Sequence, residues 1–542
     1  MRVQYTLALV AAATLILAPS RAPAQGDAKG APNRAEGEGP FDKLIVRGAT
    51  LIDGTGAPPR GPVDIVIQKN RITQVVDVGF PNMPVDASKR PKGPAREIQA
   101  EGMYVTPGFI DLHVHTCGEP KAPEAEYCYK LWLAHGVTAV RGVPFGGFEW
   151  SLNETKRANA NEITAPRMYN YQRIGTGKGW GGKPILTPDD ARAWVRWAKE
   201  QGIDGLKLGA HEPAIMEATI DEARKLGLNT TAHLAQTGVV QMNGADAVKL
   251  GLGAITHYYG IFESMYDKNS VQPYPDTYNY NDEQWRFGQV ARQWSLVTPH
   301  GEKWNAFLKL LKEHDATLDP TMTTYMSGRD LMRRRTAEWH EKYTLPSLWD
   351  FYTPNRANHG AYFYNWTTWD EVAWRNFYRV WMEFINDYKN MGGRVTPSTD
   401  AGFIYNTYGF SYIEELENFQ EAGFHPLEVI RAGTMHAAYE LNKVNGKPVE
   451  LGVIRPGMLA DLNIVPENPI ANLKVLYGSG FTRLNDKTGK VERVGGIRWT
   501  IKDGIIYDDK KLLDDVAKMV EKQKRERGIQ RLPVATFTQD AK

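Results

Sequence analysis

Apolar and polar residues alternate along the first part of the chain in short runs that are separated by Gly, Asn and Pro. This pattern, from residue 41 to about residue 103, predicts short β-strands in a small β module. Similar runs return near residues 460–465 and 498–507. We therefore expect a small β-sandwich domain built from both ends of the chain, residues 42–103 and 450–508.

The middle of the chain has a different rhythm, in which short apolar segments alternate with helix-like stretches. Thr187 followed by Pro188 is typical of a helix start, an apolar stripe follows, and Gly202 is typical of its end. Repeated units of this kind favour an α/β fold with a (β/α)8 TIM-like barrel, here over residues 104–449. The predicted barrel strands include residues 137–141, 203–208, 229–233, 254–257, 316–322 and 393–400.

Residues 258–395 interrupt this rhythm with a large aromatic-rich insertion on both sides of one strand. The segment holds nine of the fifteen Trp and thirteen of the twenty-five Tyr. Packing within the insertion and stacking against a substrate are two explanations, and both stay open. The residues at helical spacing in this segment are Trp369, Val372, Ala373, Phe377, Val380, Trp381, Phe384 and Tyr388.

The two ends of the chain carry segments of other kinds. Residues 1–24 combine Arg2, a short apolar run and an Ala-x-Ala site, which predicts a cleavable signal peptide and export to the periplasm or the medium. An uncleaved anchor is the alternative. Residues 25–41 suggest a flexible lead-in, and residues 509–542 a C-terminal tail with an amphipathic surface helix.

Composition narrows the classes of partner. Hydrophobic residues make up 42% and charged residues 24% of the chain, which are globular values. The net charge of +2 falls to about zero without Arg2 and Arg21, so we expect a small-molecule substrate and no nucleic acid. Stable membrane insertion after cleavage of the leader is not expected, and a homo-oligomer is compatible with the sequence. The only cysteines, Cys117 and Cys128, form either a bridge or two buried thiols.

Candidate chemistry lies where the predicted strands end. Histidines two apart on a strand point to the same side, and active sites of parallel barrels lie at the carboxyl ends of the strands. Agreement between residue type and strand position is more specific than a His-x-His pair alone. The strand-end residues are His113, His115, Lys207, His233, His257 and Asp400.

Each of these residues also has a simpler explanation. A single histidine is usually a hydrogen-bonded core or surface residue, and Asp400 could cap a turn. Lys207 is harder to explain in this way, because its position points into the barrel, where an unpaired ammonium group is costly. It needs a carboxylate partner or chemical conversion. Four histidines outside strand ends are assigned no functional role: His135, His211, His314 and His436.

The strand-end set resembles the metal ligands of the amidohydrolase superfamily, and most closely its imidazolonepropionase-like and prolidase-like branch. The resemblance is carried by residues 107–115, 134–141, 206–208, 398–402 and 452–462, together with the two later histidines, His233 and His257. It covers roughly residues 43–257 and 393–508, and the aromatic insertion lies outside it.

The resemblance implies a binuclear metal site. His113, His115 and Asp400 would hold one divalent ion, and His233 and His257 the other, with a CO2-derived carbamate on Lys207 between them. A bridging hydroxide would attack the substrate carbonyl, with Asp400 as general base and acid. Zinc suits imidazole and oxygen ligands, while manganese, cobalt and iron stay open.

Two positions depart from the relatives. Trp180 stands in a loop where relatives often carry a histidine after paired glycines, which predicts a different substrate recognition. Gln236 stands where deaminase branches carry a Glu, which argues against deamination. We therefore expect an exported metal-dependent amidohydrolase that cleaves an amide or peptide-like C–N bond. Lactone or phosphotriester hydrolysis and a noncatalytic binding or scaffold protein are the alternatives.

Overall fold

A computed structural model describes residues 26–81, 83–269, 271–279, 282–356 and 362–533. The predicted signal peptide, residues 1–24, lies outside these residues, as does the end of the predicted tail. In the described part of the chain, we find no helix with the length and apolar character needed to cross a membrane.

Eighteen strands are present in the described residues. In chain order they are β1 Leu44–Leu51, β2 Arg60–Gln68, β3 Arg71–Asp77, β4 Arg96–Gln99, β5 Tyr104–Pro107, β6 Phe109–Val114, β7 Val137–Gly142, β8 Arg167–Arg173, β9 Gly205–Leu208, β10 Asn229–Ala232, β11 Ala254–Thr256, β12 Thr317–Asp319, β13 Arg394–Val395, β14 Leu462–Val465, β15 Phe481–Asn485, β16 Lys490–Val494, β17 Trp499–Lys502 and β18 Ile505–Asp508.

Sixteen α-helices accompany these strands within the same described ranges. They are α1 Ala125–Leu133, α2 Phe148–Asn159, α3 Pro188–Gln201, α4 Pro213–Lys225, α5 Gly244–Lys249, α6 Glu283–Val290, α7 Glu302–Glu313, α8 Met322–Arg329, α9 Leu331–Arg335, α10 His340–Tyr343, α11 Pro346–Tyr352, α12 Thr368–Asn390, α13 Phe410–Glu421, α14 Pro426–Arg431, α15 Ala437–Asn442 and α16 Asp509–Glu526. A π-helical turn, Ala432–His436, joins α14 to α15.

The eight strands β6 to β13 pair side by side in chain order, all parallel. Every residue of β6, β7 and β9 is buried, as expected of strands covered on both faces. Backbone hydrogen bonds also join the ends of the sheet, from Leu112 N to Pro397 O at 3.4 Å and from Asp400 N to His113 O at 2.8 Å. The predicted α/β barrel fold is confirmed.

The helices around the barrel follow the sequence signals closely in most places. Thr187 and Asp190 form a capping box at the start of α3, and Gly202 ends it with a left-handed φ of 95°. Helix α5 begins after Asn243, whose side chain accepts a hydrogen bond from Asp246 N.

A second sheet of eight strands contains segments from both ends of the chain. Its order is β18-β17-β14-β5-β1-β2-β3, with β4 paired to β1. Strand β14 pairs antiparallel with β5, so a C-terminal strand lies beside the one that leads into the barrel. The apolar residues of this sheet form a core separate from that of the barrel.

Residues 26–41, for which we predict a flexible lead-in, lie along the barrel and are held at several points. Lys29 pairs with Glu124 and Glu38 with Ile506 through isolated β-bridges. The Glu36 carboxylate accepts a hydrogen bond from Lys130 at 2.7 Å. These contacts explain why a segment of low-complexity composition follows a defined path.

The aromatic-rich insertion, within residues 258–395, lies on either side of α7 and β12 and ends with α12. Helix α12 buries most of its predicted apolar stripe. Two members of that stripe are exceptions, since Trp369 is 79% and Val372 39% exposed. They lie in the first turns of the helix, on a side that is open to solvent.

Candidate active site

The six strand-end residues predicted from the sequence converge at the carboxyl end of the barrel. Five of them lie within a strand or one residue beyond it: His113, His115, Lys207, His233 and His257. Asp400 differs, because β13 ends at Val395 and the carboxylate follows only after four further residues. A hydrogen bond from Asp400 N to His113 O returns it to the site.

The Asp400 carboxylate lies among the histidine rings. Its Oδ1 is 3.8 Å from His113 Nε2 and 3.4 Å from His115 Nε2, and its Oδ2 is 3.8 Å from His257 Nε2. His113, His115 and Asp400 each offer a ligand atom within 4.8 Å of the others. This spacing suits a shared metal ion, since zinc binds such atoms at about 2.0–2.2 Å.

The other two histidines lie beside this group. The ring centroids of His233 and His257 are 4.5 Å apart, and those of His113 and His257 are 4.9 Å apart. Tyr259 stacks on His233 with a centroid distance of 4.6 Å and an interplanar angle of 22°. The four imidazoles thus form one continuous cluster with an aromatic residue against its outer member.

Hydrogen bonds fix the tautomer of two of these rings. His115 Nδ1 lies 2.8 Å from the Pro144 carbonyl, which can only accept, so Nδ1 carries the proton. His257 Nδ1 contacts the Thr321 hydroxyl, and that hydroxyl donates to Pro320 O at 2.6 Å. His257 Nδ1 is therefore also the donor. Both Nε2 lone pairs are left directed at Asp400, as in metal sites that are supported by outer hydrogen bonds.

Burial keeps these imidazoles neutral. It lowers the pKa of His113, His115 and His257 well below the ordinary value of 6.5, and neighbouring cations add to the effect. A neutral imidazole is the form that binds a metal ion. His113 Nδ1 and His257 Nε2 are buried without a hydrogen-bond partner in the described structure. The donor set and these two atoms together fit divalent metal binding.

Lys207 is buried, and among the described residues its Nζ has no hydrogen bond or ion pair. Burial lowers its pKa well below 10.5, so the amine is held in the neutral form. The Asp400 carboxylate is the main group that acts against this shift, but Lys207 Nζ donates no hydrogen bond to it. A neutral amine is also the form that reacts with CO2, so the environment fits the carbamate that the sequence resemblance implies.

Two site residues have unfavourable backbone conformations. His257 has a φ of 67° and Asp400 a φ of 47°, in the left-handed region that non-glycine residues rarely occupy. Thr321, the hydrogen-bond partner of His257, has a φ of 51°. Such conformations cost free energy and are concentrated at functional sites.

Beneath the histidines, a buried ion pair crosses the barrel. Arg141 pairs with Asp319 and donates to Leu112 O at 2.7 Å. Asp319 also accepts a hydrogen bond from Thr396 at 2.7 Å. Arg141, on β7, thereby connects β6, β12 and the segment after β13, and β6 and that segment carry or precede His113, His115 and Asp400.

A cavity of about 580 Å³ opens above this cluster. Several lining residues were not predicted from the sequence, notably Arg173, Tyr259, Arg286 and Tyr325, and His211 lines it although we had assigned it no role. The insertion contributes most of the aromatic lining, so its aromatic residues divide into those that pack in the core and those that face the cavity. The lining residues include Arg173, Lys207, His211, His233, Gln236, Tyr259, Glu283, Arg286, Phe287, Tyr325, Tyr362, Asp400 and Phe403.

Cys117 and Cys128 form a disulfide bond with a Cα–Cα distance of 6.1 Å, which decides between the two states left open by the sequence. The bond ties the loop after His115 to α1.

Trp180 packs near Trp197 of α3, with ring centroids 5.9 Å apart, and is absent from the described lining of the cavity.

No family model matches the chain. A dihydroorotase from Anaeromyxobacter dehalogenans (strain 2CP-C) is 28% identical over 235 residues, which are 40% of this chain and 48% of that protein. An N-acyl-D-aspartate deacylase from Alcaligenes xylosoxydans xylosoxydans is 38% identical over 76 residues, 14% of this chain and 13% of that protein. The chain thus spans about half the length, or less, of these curated relatives.

Solved structures match over most of the chain. A Xaa-Pro dipeptidase has a TM-score of 0.55 and 19% identity, covering 86% of this chain and 100% of its own. A bottromycin amidohydrolase has a TM-score of 0.57 and 18% identity, covering 90% and 91%. The predicted resemblance to the amidohydrolase superfamily is confirmed in the fold. A putative prolidase from Bifidobacterium longum, with a TM-score of 0.53 and 19% identity over 88% of this chain and 99% of its own, shares this fold.

Proposed function

We propose that this chain is a metal-dependent hydrolase that cleaves an amide or peptide-like C–N bond in a small molecule. The observation that carries the proposal is the position of the Asp400 carboxylate, which lines a cavity of about 580 Å³ and lies 3.4–3.8 Å from the Nε2 atoms of three neutral histidines. The amidohydrolase fold and the names of its relatives support the same reaction class.

His113, His115 and Asp400 would hold one divalent ion and His233 and His257 the other, with a carbamate on Lys207 serving both. Zinc is the ion we propose, because its usual ligands are imidazole nitrogen and carboxylate oxygen. When bound, such ions supply a nucleophilic water at neutral pH and polarise a substrate carbonyl.

The protein's own groups then position the reactants and move the protons. The Asp400 carboxylate accepts a proton from the attacking water and returns it to the nitrogen of the leaving amine. The water oxygen bonds to the carbonyl carbon as the C–N bond breaks, and the carboxylic acid that forms passes its proton to the amine or to solvent, so the products at neutral pH are a carboxylate and an ammonium ion. Burial of His113 and His257 keeps their rings neutral throughout, which prevents them from taking that proton first.

We also propose that the protein is exported. The predicted signal peptide motivates this, and a disulfide bond between Cys117 and Cys128 is typical of an oxidising compartment. Fractionation of cells that express the full chain tests it. Retention of the protein in the cytoplasm with its leader uncleaved would contradict the proposal.

Metal analysis and a substrate screen test the catalytic proposal. Protein reconstituted with zinc and bicarbonate should bind two equivalents and hydrolyse members of a panel of N-acyl amino acids and dipeptides. Lactones and phosphotriesters belong in the same panel, since faster turnover of either would replace the amide with that class. Less than one bound metal, or no turnover of any amide, would refute the proposal.

The variant Lys207→Ala tests whether binding of the second metal depends on the carbamate. Without a carbamate we expect one bound equivalent and an activity on the order of 10³-fold lower, because a bridging anion between the ions is lost. Propionate added to Lys207→Ala should restore part of the activity by replacing that anion. Lys199→Ala, on an exposed position of α3, is the matched control and should behave as the wild type. Two equivalents of metal in Lys207→Ala would exclude the carbamate.

A further inference from the structure

Arg173 is the last residue of β8, at the carboxyl end of the barrel. In the parallel pairing of β8 with β9 it stands in register with Lys207, so the two side chains leave the sheet on the same side. Lys207 points into the site, and Arg173 lines the same cavity together with Asp400 and His233. A permanent cation is thus placed one strand away from the candidate metal ligands.

Among the described residues, the Arg173 guanidinium makes no hydrogen bond and no close ion pair, although the Asp400 carboxylate is near enough to interact with it electrostatically. This distinguishes it from Arg286, the other arginine of the cavity. Arg286 donates to Glu283 at 3.0 Å, and its guanidinium lies 5.4 Å from the ring centroid of Phe287. Arg286 is therefore already neutralised, whereas Arg173 presents its donors to the space that a substrate would occupy.

The rest of the cavity wall is largely aromatic. Tyr259 stacks on His233, and Tyr325 meets His257 edge-on at a centroid distance of 5.7 Å. Phe287 and Tyr362, stacked on each other at 4.2 Å, continue this wall. A ligand that matches both the Arg173 guanidinium and this aromatic wall carries one anionic group and one apolar, ring-sized group.

We propose that Arg173 binds the carboxylate of the substrate while the aromatic wall receives an apolar side chain or acyl group. This deepens the proposed function and rests on it: the substrate class becomes N-acyl amino acids or short peptides with a free carboxylate and an apolar neighbour. A carboxylate matches the planar guanidinium in a bidentate pair.

Calorimetry with two probes that contain no scissile bond tests this without requiring turnover. 4-Phenylbutyrate and the neutral ketone 5-phenyl-2-pentanone have the same size and the same ring. Zinc-loaded wild type should bind the acid about tenfold to hundredfold more tightly, as expected of a charge-assisted pair. Arg173→Gln should remove that preference and leave ketone affinity unchanged, and Arg173→Lys should keep part of it.

Two further variants serve as controls. Arg196→Gln, which changes an arginine on α3 outside the cavity, should bind both probes as the wild type does. Arg286→Gln should retain the preference for the acid, because its guanidinium is already paired. Equal affinities of the wild type for acid and ketone, or an undiminished preference in Arg173→Gln, would overturn the inference.

Metal analysis of Arg173→Gln tests whether Arg173 supports metal binding instead of binding the substrate carboxylate. If the variant loses a metal equivalent, Arg173 acts by holding the group on Lys207, and the inference is overturned. Failure of the Arg173 inference can also be told apart from failure of the proposed amide hydrolysis. Absence of amide hydrolysis together with acid binding that depends on Arg173 would retain the anion site and reject the reaction.

Discussion

The carboxylate of Asp111 binds Thr399 twice, accepting its backbone N–H at 3.1 Å and its hydroxyl at 2.6 Å. The same carboxylate accepts the backbone N–H of His113 at 3.2 Å. Asp111 therefore joins the strand of one candidate ligand to the segment just before another, Asp400. Since β13 stops at Val395, this connection helps to hold Asp400 in place.

Asp111→Asn should lower metal affinity by about 10- to 100-fold, the usual effect of losing a partner that orients metal ligands. An amide keeps the shape of the side chain but cannot accept three hydrogen bonds in the same arrangement. Zinc affinity measured by competition with a chelator checks this. Asp189→Asn, on the exposed start of α3, is the control. Unchanged affinity in Asp111→Asn would show that backbone pairing alone places Asp400.

Thr321→Val removes the hydroxyl that accepts from His257 Nδ1 while keeping a β-branched side chain at the strained φ of 51°. His257 could then adopt the other tautomer, with a proton on the nitrogen that faces Asp400. We expect an affinity for the second metal about 10- to 100-fold lower, with the fold intact. Metal titration followed by calorimetry measures it, with Thr336→Val at an exposed helix end as the control. Two metal sites of wild-type affinity would contradict this assignment of the tautomer.

The sequence predicted the site better than it predicted the cavity above it. His113, Lys207, His233 and His257 follow short buried strands, and strand periodicity and strand ends are visible in one sequence. Arg173 was missed because β8 is rich in polar and aromatic residues and was not delimited as a strand. Had its end been known, the same strand-end rule would have included the arginine.

Other features depended on contacts distant in sequence. The aromatic residues of the insertion could not be divided into core and cavity without knowing which elements pack together. Residues 26–41 have the composition of a linker, but bonds to α1, to the start of β18 and to other parts of the fold hold them. The sequence alone left open whether Cys117 and Cys128 are thiols or form a disulfide. The structure shows the disulfide, because the chain between them brings their Cα atoms to 6.1 Å.

Two tryptophans of the same predicted stripe on α12 should differ in their contribution to stability. Trp381 is fully buried and Trp369 is 79% exposed. Trp381→Ala should lower the free energy of unfolding by about 3–5 kcal/mol through lost burial and a cavity, whereas Trp369→Ala should change it by less than about 0.5 kcal/mol. Urea unfolding of both variants measures these changes in the free energy of unfolding. Similar losses would show that the exposed position has a partner beyond the described residues or in another subunit.

His135, given no catalytic role, should contribute to the dependence of stability on pH. It is fully buried, its Nδ1 lies 2.8 Å from Leu131 O, and its ring contacts Phe410 at 4.2 Å. Burial lowers the pKa of His135 to about 4, from an ordinary value of 6.5. Between these two pH values the unfolded chain binds a proton that the folded chain does not.

Stability from His135 is therefore fully present above pH 6.5 and is lost as the pH falls towards 4, by roughly 3 kcal/mol at most. His135→Gln, which cannot titrate, should be less stable at pH 7 but should lose less stability over this range. Denaturant unfolding at several pH values measures both slopes. His314→Gln, at an exposed position, should keep the wild-type slope. A slope in His135→Gln equal to that of the wild type would mean that the folded and unfolded chains bind a proton at His135 equally, so that burial does not lower its pKa.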